Sequence, residues 1–115
     1  MNLKRGDIAL VNFPHSDLQT IKLRPALVVQ ADNLGTDIAQ LIVAMISSRL
    51  ERADHPCRVL LRLSDAAVRQ TGLRTDSVIM TDNLATIRLP LINRLIGRMA
   101  DMEAVDQALR KTLSL

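Results

Sequence analysis

Apolar residues along this chain fall in short blocks separated by polar turns, a spacing that suits strands better than long helices. Residues 7–13 (Asp-Ile-Ala-Leu-Val-Asn-Phe) form the first block. Pro14 ends it, because proline cannot donate to a sheet ladder. Residues 14–23 read as a polar loop, and residues 24–30 as a second strand with Pro25 at its start. Residues 32–37 have turn composition, and residues 38–46 have the length and Ile/Val content of a buried central strand, ending near Ser47 and Ser48. A charged loop over residues 49–55 leads to a fourth strand at 57–63, whose alternation does not assign its faces. Residues 64–72 begin with a capping serine and end with Gly72, which predicts one or two helical turns. A fifth strand spans 76–81 and runs into 82–84, and a short sixth spans 94–99. Asp101 is placed to cap a final helix. Met102, Val105, Leu109 and Leu113 recur there near helical spacing, and Arg110 and Lys111 sit at the negative end of the helix dipole. The pattern predicts an α+β fold in which a mostly antiparallel sheet of short strands, of the small-barrel type, is closed by a C-terminal helix.

Composition narrows the function classes. At 115 residues the chain is expected to form one domain spanning 1–115, and with 48% apolar and 23% charged residues it can bury a core. The longest wholly apolar run, residues 41–46, is far short of the ~20 needed to span a bilayer, and Lys4 and Arg5 interrupt any secretory signal core. A lone cysteine, Cys57, offers neither an internal disulfide nor a cysteine-based zinc site, so a reducing cytoplasm is expected. The net charge of +3 is modest, but 12 of the 15 cations are arginine. A guanidinium fork grips phosphate or carboxylate bidentately, so this bias leans towards phosphate, although solvated surfaces also collect arginine. Phe13 is the only aromatic residue. Base stacking is therefore almost unavailable, and nucleic-acid binding would rest on phosphate contacts and base-edge hydrogen bonds.

No phosphate-cradling glycine loop, dinucleotide fingerprint, zinc spacing or nucleophile elbow is present, so neither a cofactor nor a metal is expected. His15 and His55 are too far apart to chelate from one element. What stands out is an ordered series of strand-end segments: Arg5-Gly6-Asp7-Ile8-Ala9-Leu10-Val11, then Leu23-Arg24-Pro25-Ala26-Leu27-Val28-Val29, then Val43-Ala44-Met45-Ile46-Ser47-Ser48, then Asp76-Ser77-Val78-Ile79-Met80 with Thr86-Ile87, then the closing helix. In this order the chain resembles the MazF/PemK family over nearly its whole length. The resemblance implies an SH3-like antiparallel barrel that forms a homodimer, acts as the toxin of a toxin–antitoxin pair, and cleaves single-stranded RNA without a metal.

The implied chemistry is attack of the RNA's own 2'-hydroxyl on the neighbouring phosphorus. It requires a base for the 2'-proton, positive charge for the non-bridging oxygens, and an acid for the departing 5'-oxygen. By the resemblance, Arg24 matches the family's functional arginine and holds the phosphate, and Ser47 matches a hydroxyl position at the end of the third strand. Arg24 also reads as a surface arginine beside a strand-start proline, and Ser47 as a cap for loose backbone groups. Asp82 falls where relatives place an acid, and His15 lies in the loop that contacts RNA in the family. Either could serve in proton transfer. Lys22, Ser48, Arg49 and Arg88 complete the expected RNA-binding set. Two departures remove cations: position 80, where one branch carries arginine, is Met80, and the Arg-Thr-Ile that commonly follows becomes Ala85-Thr86-Ile87. Residues 83–100 hold Arg88, Arg94 and Arg98 with no acid, which reads most simply as a solvated basic face.

Two alternatives belong to other classes. A non-catalytic toxin of the CcdB type shares the fold and poisons a protein target such as gyrase, but relatives of that kind use a terminal tryptophan, and this chain ends Leu113-Ser114-Leu115. A degenerate family member would bind only antitoxin or RNA.

Overall fold

The computed structural model describes residues 2–14 and 20–115. Its strands are β1 (Asp7–Pro14), β2 (Ile21–Val28), β3 (Gln40–Ser47), β4 (Arg58–Leu61), β5 (Ser77–Arg88) and β6 (Ile92–Arg98). The helices are α1 (Ala66–Arg69) and α2 (Glu103–Leu113), and short 3-10 turns occupy Leu50–Ala53 and Leu89–Leu91. The strands form one sheet in the order β4-β5-β3-β2-β1-β6, with every neighbouring pair antiparallel.

β3 carries an unbroken apolar run because both of its faces are covered. Ala44 and Ile46 join one core cluster with Ile8, Leu27, Ile79 and Val105, whereas Val43 and Met45 join a second with Val11, Ala26, Val28 and Ile87. A central strand buried on both sides loses the alternation that would otherwise mark it. The helix α2 seals the first cluster through buried Val105, with Leu109 and the preceding Met102 packed against it. Asp101 serves its N-terminus from one position further out than expected, accepting the Glu103 N–H at 3.0 Å, while Met102 occupies the cap position. At α1 the capping side chain is Asp65 rather than Ser64.

Two strands, β2 and β5, differ from the sequence expectation for physical reasons. β2 starts at Ile21, inside the stretch read as loop, because β1 runs on to Pro14 and pairs with it there. Pro25 therefore lies within the strand, one residue beyond the last pair with β3 (Ala26 with Met45), where β2 has only one neighbour. β5 extends to Arg88 because its ladder with β3 jumps from Met80–Met45 to Leu84–Ala44, accommodating residues 81–83 as a bulge. In that bulge the Thr81 hydroxyl turns inward to the Cys57 carbonyl at 2.6 Å and to Thr112 at 2.8 Å.

The sheet is open: its edge strands β4 and β6 do not pair with each other. The segment after α1 spans the gap instead, with the Arg98 N–H donating to the Gln70 carbonyl at 3.0 Å. Two glycines permit this crossing. A Cβ on Gly72, which has a φ of +74°, would overlap the Ile96 carbonyl, and one on Gly97 would overlap the Thr71 backbone.

Candidate functional site

A groove of about 960 Å³ lies where β2 begins and β3 ends, bounded also by β6 and the segment between α1 and β5. Among the described residues, six cations line it (Lys22, Arg24, Arg49, Arg52, Arg74 and Arg94) and no carboxylate does. Its floor is partly apolar, with Leu10, Leu23 and Leu95 among the lining, and Leu95 is 48% exposed.

Local folding explains the placement of the central pair. Arg24 stands opposite Val11 in the β1–β2 ladder. The β2–β3 register, continued two residues past its last pair of Ala26 with Met45, sets Arg24 across from Ser47. Both residues line the groove. The Ser47 hydroxyl accepts the Arg49 N–H at 3.1 Å, so it does cap a loose backbone group. Its own O–H has no acceptor among the described residues and is available to a ligand. Arg24 is exposed and, among the described residues, has no carboxylate within ion-pairing distance.

Of the expected site residues, the groove gathers Lys22, Arg24, Ser47, Ser48 and Arg49. Asp82 is not in its lining. That carboxylate takes two hydrogen bonds from Arg58, at 2.8 Å from Nη2 and 3.4 Å from Nε. The hydrogen bonding from Arg58 holds the Asp82 carboxyl below its ordinary range against the opposing effect of burial, and reciprocally raises the Arg58 guanidinium. An ion-paired carboxylate of depressed pKa is a weak proton acceptor. Arg88 ends β5 opposite Gln40, also away from the groove. His15 lies outside the described residues.

Three cations enter the groove that the sequence did not single out as binding residues: Arg52, Arg74 and Arg94. Arg94 belongs to the acid-free run over residues 83–100, which the fold divides. Arg94 faces the groove, Arg98 pairs with Asp7 at 3.6 Å, and Arg88 stands apart. Arg52 and Arg74 lie in connections, where no periodicity marks orientation. Among the described residues, no group of three His, Cys, Asp or Glu side chains could hold a metal ion, and no helix is long and apolar enough to cross a membrane.

Comparison with known proteins gives consistent relatives. The pattern of one family, described as PemK-like, MazF-like toxin of type II toxin-antitoxin system, matches residues 4–113. The chain is 30% identical to endoribonuclease EndoA of Bacillus subtilis, over 100% of the chain and 97% of that protein. It is 31% identical to a probable endoribonuclease MazF of Mycolicibacterium smegmatis, over 93% of each. A solved mycobacterial endoribonuclease in complex with its cognate antitoxin shares the fold, with a TM-score of 0.75 at 21% identity, covering 98% of this chain and 96% of that one.

Proposed function

Because the chain belongs to the family of PemK-like, MazF-like toxins of type II toxin–antitoxin systems, we propose that it is an endoribonuclease that cuts single-stranded RNA in the groove between β2, β3 and β6. The observation that supports this reading is the convergence of Arg24 and Ser47 in the lining of a cation-rich cleft in which no described residue is a carboxylate. Such a cleft attracts a phosphodiester backbone, and among the described residues no acid neutralises its guanidinium groups. The relatives named as endoribonucleases favour cleavage over non-catalytic poisoning of a protein target.

The reaction follows from the groups present. The substrate's 2'-oxygen forms a bond to phosphorus as the bond from phosphorus to the 5'-oxygen breaks, leaving a 2',3'-cyclic phosphate and a 5'-hydroxyl. The 2'-proton leaves to a base, and the 5'-oxygen acquires one from an acid. Arg24 donates its planar fork to the non-bridging oxygens as charge grows on them, and the free Ser47 proton adds a third donor. His15 is the proton-transfer candidate, because imidazole as a side-chain type exchanges protons near neutral pH. Asp82 holds Arg58, and through it β4, in place. The reading extends to one domain over residues 1–115 acting in the cytoplasm as a homodimer, with the apolar groove margin at Leu23 and Leu95 available for burial. It also includes a protein antitoxin, as accompanies the solved mycobacterial relative.

The test is cleavage of a long unstructured RNA by purified, antitoxin-free protein in excess EDTA. Cuts at a short recurring sequence that leave 5'-hydroxyl ends are expected. Intact RNA in the presence of folded protein would overturn the reading.

A further inference from the structure

Five of the six groove cations are exposed; Arg52 is half-buried. Its backbone is tied on both sides of the peptide, since its N–H donates to the Arg49 carbonyl at 3.1 Å and its carbonyl accepts from Arg58 Nη1 at 3.1 Å. Arg58 is itself fixed by Asp82 and by the β4–β5 ladder, where it stands opposite Met80. The Arg52 guanidinium rests against that same methionine, with Nη1 3.9 Å from the sulfur. A thioether is a weak acceptor, and among the described residues no carboxylate lies within ion-pairing distance of Arg52. The side chain is thus partly desolvated, held in place and, among the described residues, left with most of its five donors unspent. A desolvated cation in that condition is costly to the folded protein unless an anion completes it. Fixed donors that need not reorganise also stabilise developing charge more than mobile ones do.

We propose that Arg52 is a further catalytic residue, donating from the Leu50–Ala53 turn to the phosphate being cut, with Met80 as the positioning residue that holds its guanidinium. This rests on the endoribonuclease reading above. Arg24 and Arg52 would then approach one phosphate from two different segments, β2 and the β3–β4 connection. The exposed Lys22, Arg49, Arg74 and Arg94 carry flanking phosphates, and so contribute to affinity.

The experiment compares native protein, Arg52→Ala, Arg52→Lys, Arg24→Ala and, as a charge-matched control outside the groove, Arg69→Ala. Single-turnover rates are measured on a short RNA containing the mapped site. Affinity is measured on the same RNA with one 2'-deoxy nucleotide at the cut, which cannot react. Thermal melts accompany each variant. We expect Arg52→Ala to lose about 100-fold in rate with less than about threefold change in affinity, because flanking contacts persist. Arg52→Lys keeps the charge and stem but not the fork, and is expected to stay about tenfold below native with an unchanged melt. Native rates in both Arg52 variants, or losses that fall equally on rate and affinity, would overturn the assignment. If native protein cuts and Arg24→Ala does not, such a result removes Arg52 alone. If folded native protein does not cut, both readings fall.

Discussion

Nine of the twelve arginines fall into two populations, and Arg69, Arg88 and Arg110 belong to neither. Arg5, Arg58, Arg62 and Arg98 each face a carboxylate, at 2.6, 2.8, 3.6 and 3.6 Å, and each ties together segments distant in sequence. Arg5 is the clearest case. It joins the N-terminus to α2 through Asp106 and donates to the Val29 carbonyl at 3.0 Å. Arg24, Arg49, Arg52, Arg74 and Arg94 face no carboxylate among the described residues, and all five line one groove. Net charge does not distinguish the two groups. What separates them is whether the fold supplies the counter-ion or leaves that to a ligand.

The largest effect that tests this division is on turnover. Arg24→Ala should lower RNA cleavage by about 100-fold or more, equivalent to about 3 kcal/mol of transition-state stabilisation, with an unchanged melt. Arg5→Ala should do the reverse, costing about 1–2 kcal/mol of stability through its lost hydrogen bonds while cleavage at a permissive temperature stays near native. A smaller effect contrasts neighbours on one strand. Arg94→Ala should reduce the salt dependence of RNA binding by about 0.7 in the slope of log K against log salt, the amount for one single-strand phosphate contact. Arg98→Ala, four residues along β6 and paired with Asp7, should leave that slope unchanged.

The smallest effect is on acid stability. Hydrogen bonding from Arg58 lowers the Asp82 pKa below its ordinary 3.8, so the pair stabilises the fold above that value and is lost as pH falls through the lower folded-state value. Melts of Asp82→Asn should therefore match native protein at strongly acid pH and fall below it from about pH 4 upward. Equal melts across the range would remove Asp82 from the stabilising group.

Much of the fold was legible because its signals are local. The proline after Phe13, the spacing of Met102, Val105 and Leu109, and the doubly apolar run over 41–46 each report one element's surroundings. β5 was less legible because its bulge at 81–83 places turn-like residues, Asp82 and Asn83, inside a strand. The closure through Gly72 and Gly97 was also hidden, since it depends on two backbones 25 positions apart meeting.

For the candidate site, Arg24 and Ser47 were singled out by their match to family motifs at strand ends, and the fold brings both to the groove. Asp82 was read as a proton-transfer candidate, and its ion pair was not legible because its partner Arg58 lies on a neighbouring strand. The absence of an arginine at position 80 was legible. The arrival of Arg52 against Met80 from another segment was not, because side-chain convergence across loops leaves no trace in spacing.

The division of the arginines is tested most directly by following their side-chain Nε–Hε resonances while the non-cleavable RNA is titrated into the protein. Arg24, Arg49, Arg52, Arg74 and Arg94 are expected to shift on saturation while Arg5, Arg58, Arg62 and Arg98 hold still. Shifts concentrated on the paired arginines, or none in the groove at saturating RNA, would contradict that division.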